Sequence, residues 1–460
     1  MSSALAAGAV LLPARARTAS AIAVEPFQAP LEIPPVLKPV KTEAGKDYYE
    51  LTMKRAGARI LPDRRTPVWG YNGRFPGPTI KVRSGHPVVV RQRNGLRVPT
   101  TVHLHGGHVS PGNDGHPMDL IAPGRHKDYH YPNAQQAATL WYHDHTHHKT
   151  GRNVNMGLAG LYLIEDDSEE DLNLPAGEFD VPLILQDRTF NADGSFFFEH
   201  DHQGNFGDVF LVNGRPMPFF EVARRKYRFR IVNASNSRGY NLVLDPGLPM
   251  SQIASDGGLL PAPNVTSSVP IWPAERVEVV VDFSVLPVGT SVVMEDRAPD
   301  AAPTDGAPVM RFDIVRDEAD SSEVPLALRP IEPLPTASVE RNFELSLDFD
   351  RGWVINGKAF DGDRIDAWPR LGQVEVWRFD NLSNQTHPMH LHQSMFQVLD
   401  RDGAAPPPGE AGWKDTVRVD SAERVRIAVR FERFKGRYVF HCHNLAHEDH
   451  AMMAQMKIRT

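Results

Sequence analysis

Lys226-Tyr227-Arg228-Phe229-Arg230-Ile231 alternates cationic and apolar residues one by one. Successive side chains of a strand point to opposite faces, so a period of two predicts a strand that is polar on one face. The run continues to Asn233, and β-rich runs ending in Asn recur at 88–94 and 374–381. Asn94, Asn233 and Asn381 follow one another at roughly 140 to 150 residues, the size of one domain. Three copies of one β-sandwich unit account for that spacing, and 460 residues have room for three. Pro, Gly, Asn and Asp clusters separate the strand-like stretches, and convincing amphipathic helical stretches are scarce, so the predicted class is all-β.

Two connections divide the chain. Glu165-Asp166-Asp167-Ser168-Glu169-Glu170-Asp171 reads as a solvated acidic connection. Residues 316–335 carry acidic residues and then spaced prolines, which keep a connection extended. The expected organisation is a signal remnant or unstructured segment over 1–40, then domains over 41–170, 171–330 and 331–460. The longest apolar run, 4–12, is too short to span a bilayer, and Pro13-Ala14-Arg15-Ala16 after it resembles a cleavage region. Only Met1-Ser2-Ser3 precedes it, so the basic region of an export signal is missing, yet an extracytoplasmic location is the expectation. A net charge of -7 without a dense Lys and Arg run argues against nucleic acid as a partner. The single cysteine, Cys442, excludes an intrachain disulfide.

Half of the 20 histidines fall in four short clusters. They are His103-Leu104-His105-Gly106, Trp141-Tyr142-His143-Asp144-His145, His387-Pro388-Met389-His390-Leu391-His392, and His441-Cys442-His443 followed by His447 and Met452. Each His-x-His pair on a strand aims two imidazoles at one place. One such pair is weak support for a metal site, since exposed histidines pair by chance, but four together are not explained that way. Cys442 points away from the rings of His441 and His443, so one tripeptide touches two sites. A thiolate, two histidines and a weak axial Met make a blue-copper set, which Cys442, His387, His447 and Met452 supply. Eight imidazoles are left, too many for a mononuclear site, whereas three copper ions with positions open for dioxygen account for all of them.

With these clusters, Pro76-Gly77-Pro78-Thr79-Ile80, Ile253-Ala254-Ser255-Asp256-Gly257-Gly258 and Gly412-Trp413-Lys414-Asp415-Thr416-Val417, the chain resembles the multicopper oxidases from about Tyr48 onward. The likeness is greatest to bacterial three-domain laccases, spore-coat laccases and bilirubin oxidases. It implies three consecutive cupredoxin-like Greek-key domains and four copper ions. The implied type 1 ligands are His387, Cys442, His447 and Met452, and the type 2 ligands His103 and His390. One type 3 ion would take His105, His143 and His443, the other His145, His392 and His441. The middle domain would carry no ligand. Asp114 and Glu448 match the family's proton donors, a role to set beside that of merely orienting a ligand. His447 would present its ring edge at the surface to a reducing substrate.

The implied reaction is one-electron oxidation of a small aromatic or phenolic donor, coupled to reduction of dioxygen to water. Bilirubin or cuprous ion are alternative donors, although residues 351–371 lack the methionines of copper-oxidising relatives. A copper-free scaffold has no use for the ligands, and a simple electron carrier none for the eight remaining histidines. His108, His147, His148, His200, His202 and His450 match no ligand position and read as exposed or orienting histidines. One chain holds both domains that supply ligands, so a monomer is complete.

Overall fold

The structure, a computed structural model, describes residues 22–298 and 306–460. The apolar run at 4–12 and the cleavage-like residues after it lie outside that range. Each Asn-terminated run is a strand, and all three have the same kind of neighbours. Val88–Asn94 lies parallel to Lys46–Ala58 and antiparallel to His126–Tyr131. Lys226–Asn233 lies parallel to Asp180–Arg188 and antiparallel to Arg276–Asp282. Val374–Asn381 lies parallel to Val339–Asp348 and antiparallel to Arg424–Arg430. A second sheet covers each of these, making three consecutive β-sandwiches of five and four, seven and five, and five and four strands. Aromatic contacts such as Tyr131 on Tyr162, Phe229 on Phe312 and Phe343 on Phe440 join the two sheets of each unit.

The repeated Asn has one structural job in all three units. Asn94 Nδ2 donates to the carbonyls of Val98 and Ile121, while its Oδ1 accepts from Leu96 N–H. Asn233 makes the same bonds to Arg238, Ile271 and Ser235, and Asn381 to Gln385, Val419 and Ser383. All three are buried. They bond backbone groups at the point where the chain leaves a strand and turns.

The alternation of 226–233 divides that strand between two environments, and neither is solvent. Tyr227, Phe229 and Ile231 enter the middle core. Arg228 and Arg230 are buried on the other face, bonded to Glu169, Asp180 and Glu278. Glu169 belongs to the acidic run expected to be a solvated connection. That run instead contains a short helix, Asp167–Glu170, capped by Asp166. Burial would raise the Glu169 carboxyl, but Arg228 and Arg230 hold it at about 2. Two buried cations require buried counter-charge, which is why acidic residues of a connection are drawn inward. Residues 318–338 form no strand or helix, in keeping with their spaced prolines. Among the described residues no helix is long and apolar enough to cross a membrane.

Asn233→Ala is expected to remove the hydrogen bonds to the Arg238 and Ile271 carbonyls and from Ser235 N–H, and to destabilise the protein by about 1–3 kcal/mol. Thermal unfolding checks this, and an unchanged midpoint would contradict the role given to the repeated Asn.

Candidate metal centres

The four histidine clusters lie on or beside four strands: β1 (Val102–His105), β2 (Ala138–Asp144), β3 (His387–Leu391) and β4 (Gly436–Cys442). Register decides which side chains meet. In the β1/β2 pair His103 stands opposite His143. In the β3/β4 pair His390 stands opposite His441, and Met389 opposite Cys442. His387 shares a face with Met389 by alternation, so it falls on the Cys442 side, while His390 and His392 fall on the His441 side.

On the Cys442 side, Sγ lies 3.5 Å from Nδ1 of both His387 and His447, and those nitrogens are 3.1 Å apart. Met452 is buried alongside, its carbonyl accepting from Cys442 N–H and its N–H donating to His447 O. The outer nitrogen of each ring is fixed. His387 Nε2 is 2.8 Å from Ser383 Oγ, and His447 Nε2 is 2.9 Å from Gln385 Oε1. Ser383 Oγ donates in turn to Asn381 Oδ1, so the corner of the third unit also orients a candidate ligand.

On the other side eight rings converge. Nε2 atoms of His145, His392 and His441 form a triangle with 3.2 Å edges. Imidazole–metal bonds of about 2.0–2.1 Å in a tetrahedral site separate nitrogens by about 3.3 Å. His103 and His390 turn their Nε2 atoms to within 3.4 Å of each other. His105, His143 and His443 have ring centroids 5.0 to 5.7 Å apart. Nδ1 of His105 and Nε2 of His143 and His443 are buried without a hydrogen-bond partner. Unpaired buried nitrogens of this kind are costly unless a cation takes their lone pairs.

Burial pushes His103, His105, His392 and His443 well below the ordinary histidine range, and His143 and His387 to about 3. Neutral rings are the form that ligates. Burial pushes the Cys442 thiol up, so a thiolate there needs a bound cation to stabilise it. A thiol with two imidazoles beside eight more buried imidazoles fits copper.

Three buried carboxylates stand behind the cluster, each against two rings. Asp114 Oδ2 is 2.8 Å from His392 Nδ1, and Oδ1 is 3.6 Å from His103 Nδ1, which bonds the Asp114 carbonyl at 2.6 Å. Glu448 approaches His145 Nδ1 at 3.1 Å and His441 Nδ1 at 3.2 Å, and accepts from Thr150 Oγ1 at 2.6 Å. Asp415 Oδ1 is 3.0 Å from His105 Nε2 and 3.5 Å from His390 Nδ1. Their charge states differ. Burial raises Asp114 far above the usual carboxylate range. Burial also acts on Asp415, but Arg276 and His105 outweigh it and hold the carboxyl well down. For Glu448, too, the facing rings of His145 and His441 outweigh burial.

Asp415 is the functional residue that sequence reasoning left without a role. It lies in the 412–417 stretch, but its partner Arg276 comes from the middle domain, bonding Asp415 with two nitrogens while its N–H donates to Asp256. Gly106 faces this pair. A Cβ there would sit 2.7 Å from an Arg276 nitrogen and 2.8 Å from an Asp415 oxygen, at a φ of +83°. The glycine that ends His103-Leu104-His105-Gly106 therefore makes room for the ion pair.

The helix α1 (Thr150–Asn155) follows β2, and α2 (Leu445–Asp449) carries His447 and Glu448. They touch through Thr150 and Glu448, and through Gly151 N–H and Asp449 Oδ2. The structure corrects the expectation of a surface edge on His447: this ring is fully buried. Trp353 packs at 4.2 Å between ring centroids, and the Gln203 backbone from a middle-domain loop lies against it. His148 bonds the Asp449 carbonyl, and His108 is pushed to about 4 by burial.

This fold and donor set define a copper-dependent oxidoreductase, and three multicopper oxidase family models match residues 52–169, 139–300 and 333–460. The chain belongs to that family. It is laccase-like, a copper enzyme with oxygen as electron acceptor, and its sandwiches are cupredoxin-like. It is 38% identical to a laccase of Bacillus subtilis over 95% of this chain and 99% of that protein. It is 41% identical to a bilirubin oxidase of Albifimbria verrucaria, over 93% of this chain and 80% of that protein. A crystal structure of laccase from Pediococcus acidilactici superposes with a TM-score of 0.88 at 34% identity, over 95% of this chain and 96% of that one.

Asp415→Asn is expected to loosen His105 and His390 and to weaken copper retention about 10–100-fold. Copper content after dialysis against a graded chelator series checks this, and retention equal to the parent would remove Asp415 from the site.

Proposed function

We propose that the chain holds four copper ions and couples one-electron oxidation of a small phenolic or other aromatic donor to four-electron reduction of dioxygen to water. The carrying observation is the β3/β4 register, which sets Cys442 and His387 on one face and His390, His392 and His441 on the other. In this reading His387, Cys442, His447 and Met452 hold the type 1 ion and His103 and His390 the type 2 ion. His105, His143 and His443 hold one type 3 ion, and His145, His392 and His441 the other. Copper, when bound, supplies reversible one-electron chemistry at the thiolate site and storage of the four electrons that dioxygen requires.

The chain supplies positioning, insulation and protons. His447 takes up electrons from the donor, and Cys442, bonded directly to His441 and His443, is the shortest covalent link between the two ligand sets. Asp415 stays charged against Arg276 and orients rings. Asp114 is the better proton holder, since burial favours the neutral form of its carboxyl and Oδ1 has no hydrogen-bond partner. Glu448, joined to Thr150 and favoured as the carboxylate by the facing rings, takes up a proton and passes it on beside the opposite pair of rings as the second proton-delivering group. The proposed location is extracytoplasmic, on the apolar run at 4–12. The proposed state is a monomer, since one chain carries every ligand. Identity of 41% to a bilirubin oxidase makes bilirubin the second candidate donor. Turnover of phenols, bilirubin and cuprous ion side by side ranks them.

Cys442→Ser is expected to remove the blue absorption and turnover while the far-ultraviolet circular dichroism persists. Oxidation at the parent rate would refute the electron route. Asp114→Asn and Glu448→Gln are each expected to retain reduction by the donor but to slow reoxidation by dioxygen. A tenfold or greater loss in stopped-flow reoxidation fits general-acid roles, and equal rates would exclude them.

A further inference from the structure

We infer that His200, His202 and His450 form a surface site for one divalent transition-metal ion, and that an ion held there pins the 199–206 loop of the middle domain to the end of α2, over His447. His200-Asp201-His202 repeats the His-x-His spacing of the buried clusters, and no role has been found for it there. The ring of His450 lies 4.4 Å from that of His200 and 6.0 Å from that of His202. The buried triad of His145, His392 and His441 is a scale from the same molecule. Its centroids are 4.7 to 5.3 Å apart while its nitrogens meet at 3.2 Å. The two distances from His450 bracket that spacing, and rotation of the two exposed side chains of His200 and His202 is needed to bring all three rings to a common point.

The chemistry of the three rings agrees. His450 Nδ1–H donates to the Ala446 carbonyl at 2.7 Å, which fixes the tautomer and leaves Nε2 with its lone pair. Asp201 Oδ1, 3.7 Å from His202 Nδ1, adds negative charge beside the rings. Imidazoles suit zinc, nickel and cupric ions, and exposure makes such a site exchangeable, unlike the buried centres.

Position gives the ion its effect. His450 ends the helix that carries His447. Trp353 Nε1 donates to the His202 carbonyl at 2.6 Å while its ring packs on His447. A metal bridging His200 and His202 to His450 ties two domains together at the cover of His447, and slows the approach of a donor. This consequence rests on His447 as the point of electron uptake, proposed above; the binding does not.

The test titrates enzyme with four copper equivalents already bound against Zn2+, a redox-silent probe, by calorimetry. The expected result is one further Zn2+ site, with affinity at least tenfold lower in His200→Ala/His202→Ala and in His450→Gln. Zn2+ should slow hydrogen exchange over 199–206 in the parent and not in the variants, and raise KM for a phenolic donor at least threefold. Equal Zn2+ affinity in parent and variants overturns the site, and unchanged exchange over 199–206 overturns the pinning. A parent that binds Zn2+ and protects the loop but oxidises no phenol would leave the metal site standing and refute the donor assignment instead.

Discussion

An imidazole has two nitrogens, and a buried ring that turns one toward a shared centre must find a partner for the other. Nine of the ten rings meet this constraint here, His443 alone having neither nitrogen bonded, and much of the surrounding structure follows from it. Asp114, Glu448 and Asp415 each back two rings of the cluster, and backbone carbonyls serve His103, His143 and His390. At the thiolate site Ser383 and Gln385 do the same for His387 and His447. Each outer bond chooses the tautomer, and therefore which nitrogen faces inward.

The middle domain holds no candidate copper ligand, yet the centre depends on it. Arg276 neutralises Asp415, and Asp256 receives the Arg276 and Asp415 N–H groups. Arg228 and Arg230 bind Glu169 from the connection leaving the first domain. Removing one partner from such buried pairs leaves an uncompensated charge, at about 3–5 kcal/mol. Arg276 thus joins the middle domain to the third and shapes the centre at once, and its loss would reach the histidine cluster through Asp415 without touching it.

Neighbours, not burial, separate the charge states of two acids that each back a pair of rings. Asp415 faces a guanidinium that outweighs burial and holds its carboxyl down, whereas at Asp114 only the Lys127 charge opposes burial and the carboxyl is pushed up. One residue type is therefore held as the anion at one position and favoured as the neutral acid at the other by the neighbours each is given.

The all-β class, the threefold unit and the division of His441, Cys442 and His443 between two sites were legible in the sequence. They depend on alternation along a strand and on short spacings, which are local properties of the backbone. The role of Asn94, Asn233 and Asn381 was visible only as a rhythm until the structure supplied their carbonyl partners. Other features were set by tertiary structure alone: Asp415 gained its function from Arg276, 139 residues away in sequence. Glu169 moved from an expected solvated connection into a buried charge network, and His447 lies beneath Trp353 and a loop of another domain. Alternation gives the face on which a side chain points, whereas burial and pairing depend on what the rest of the chain brings to that face.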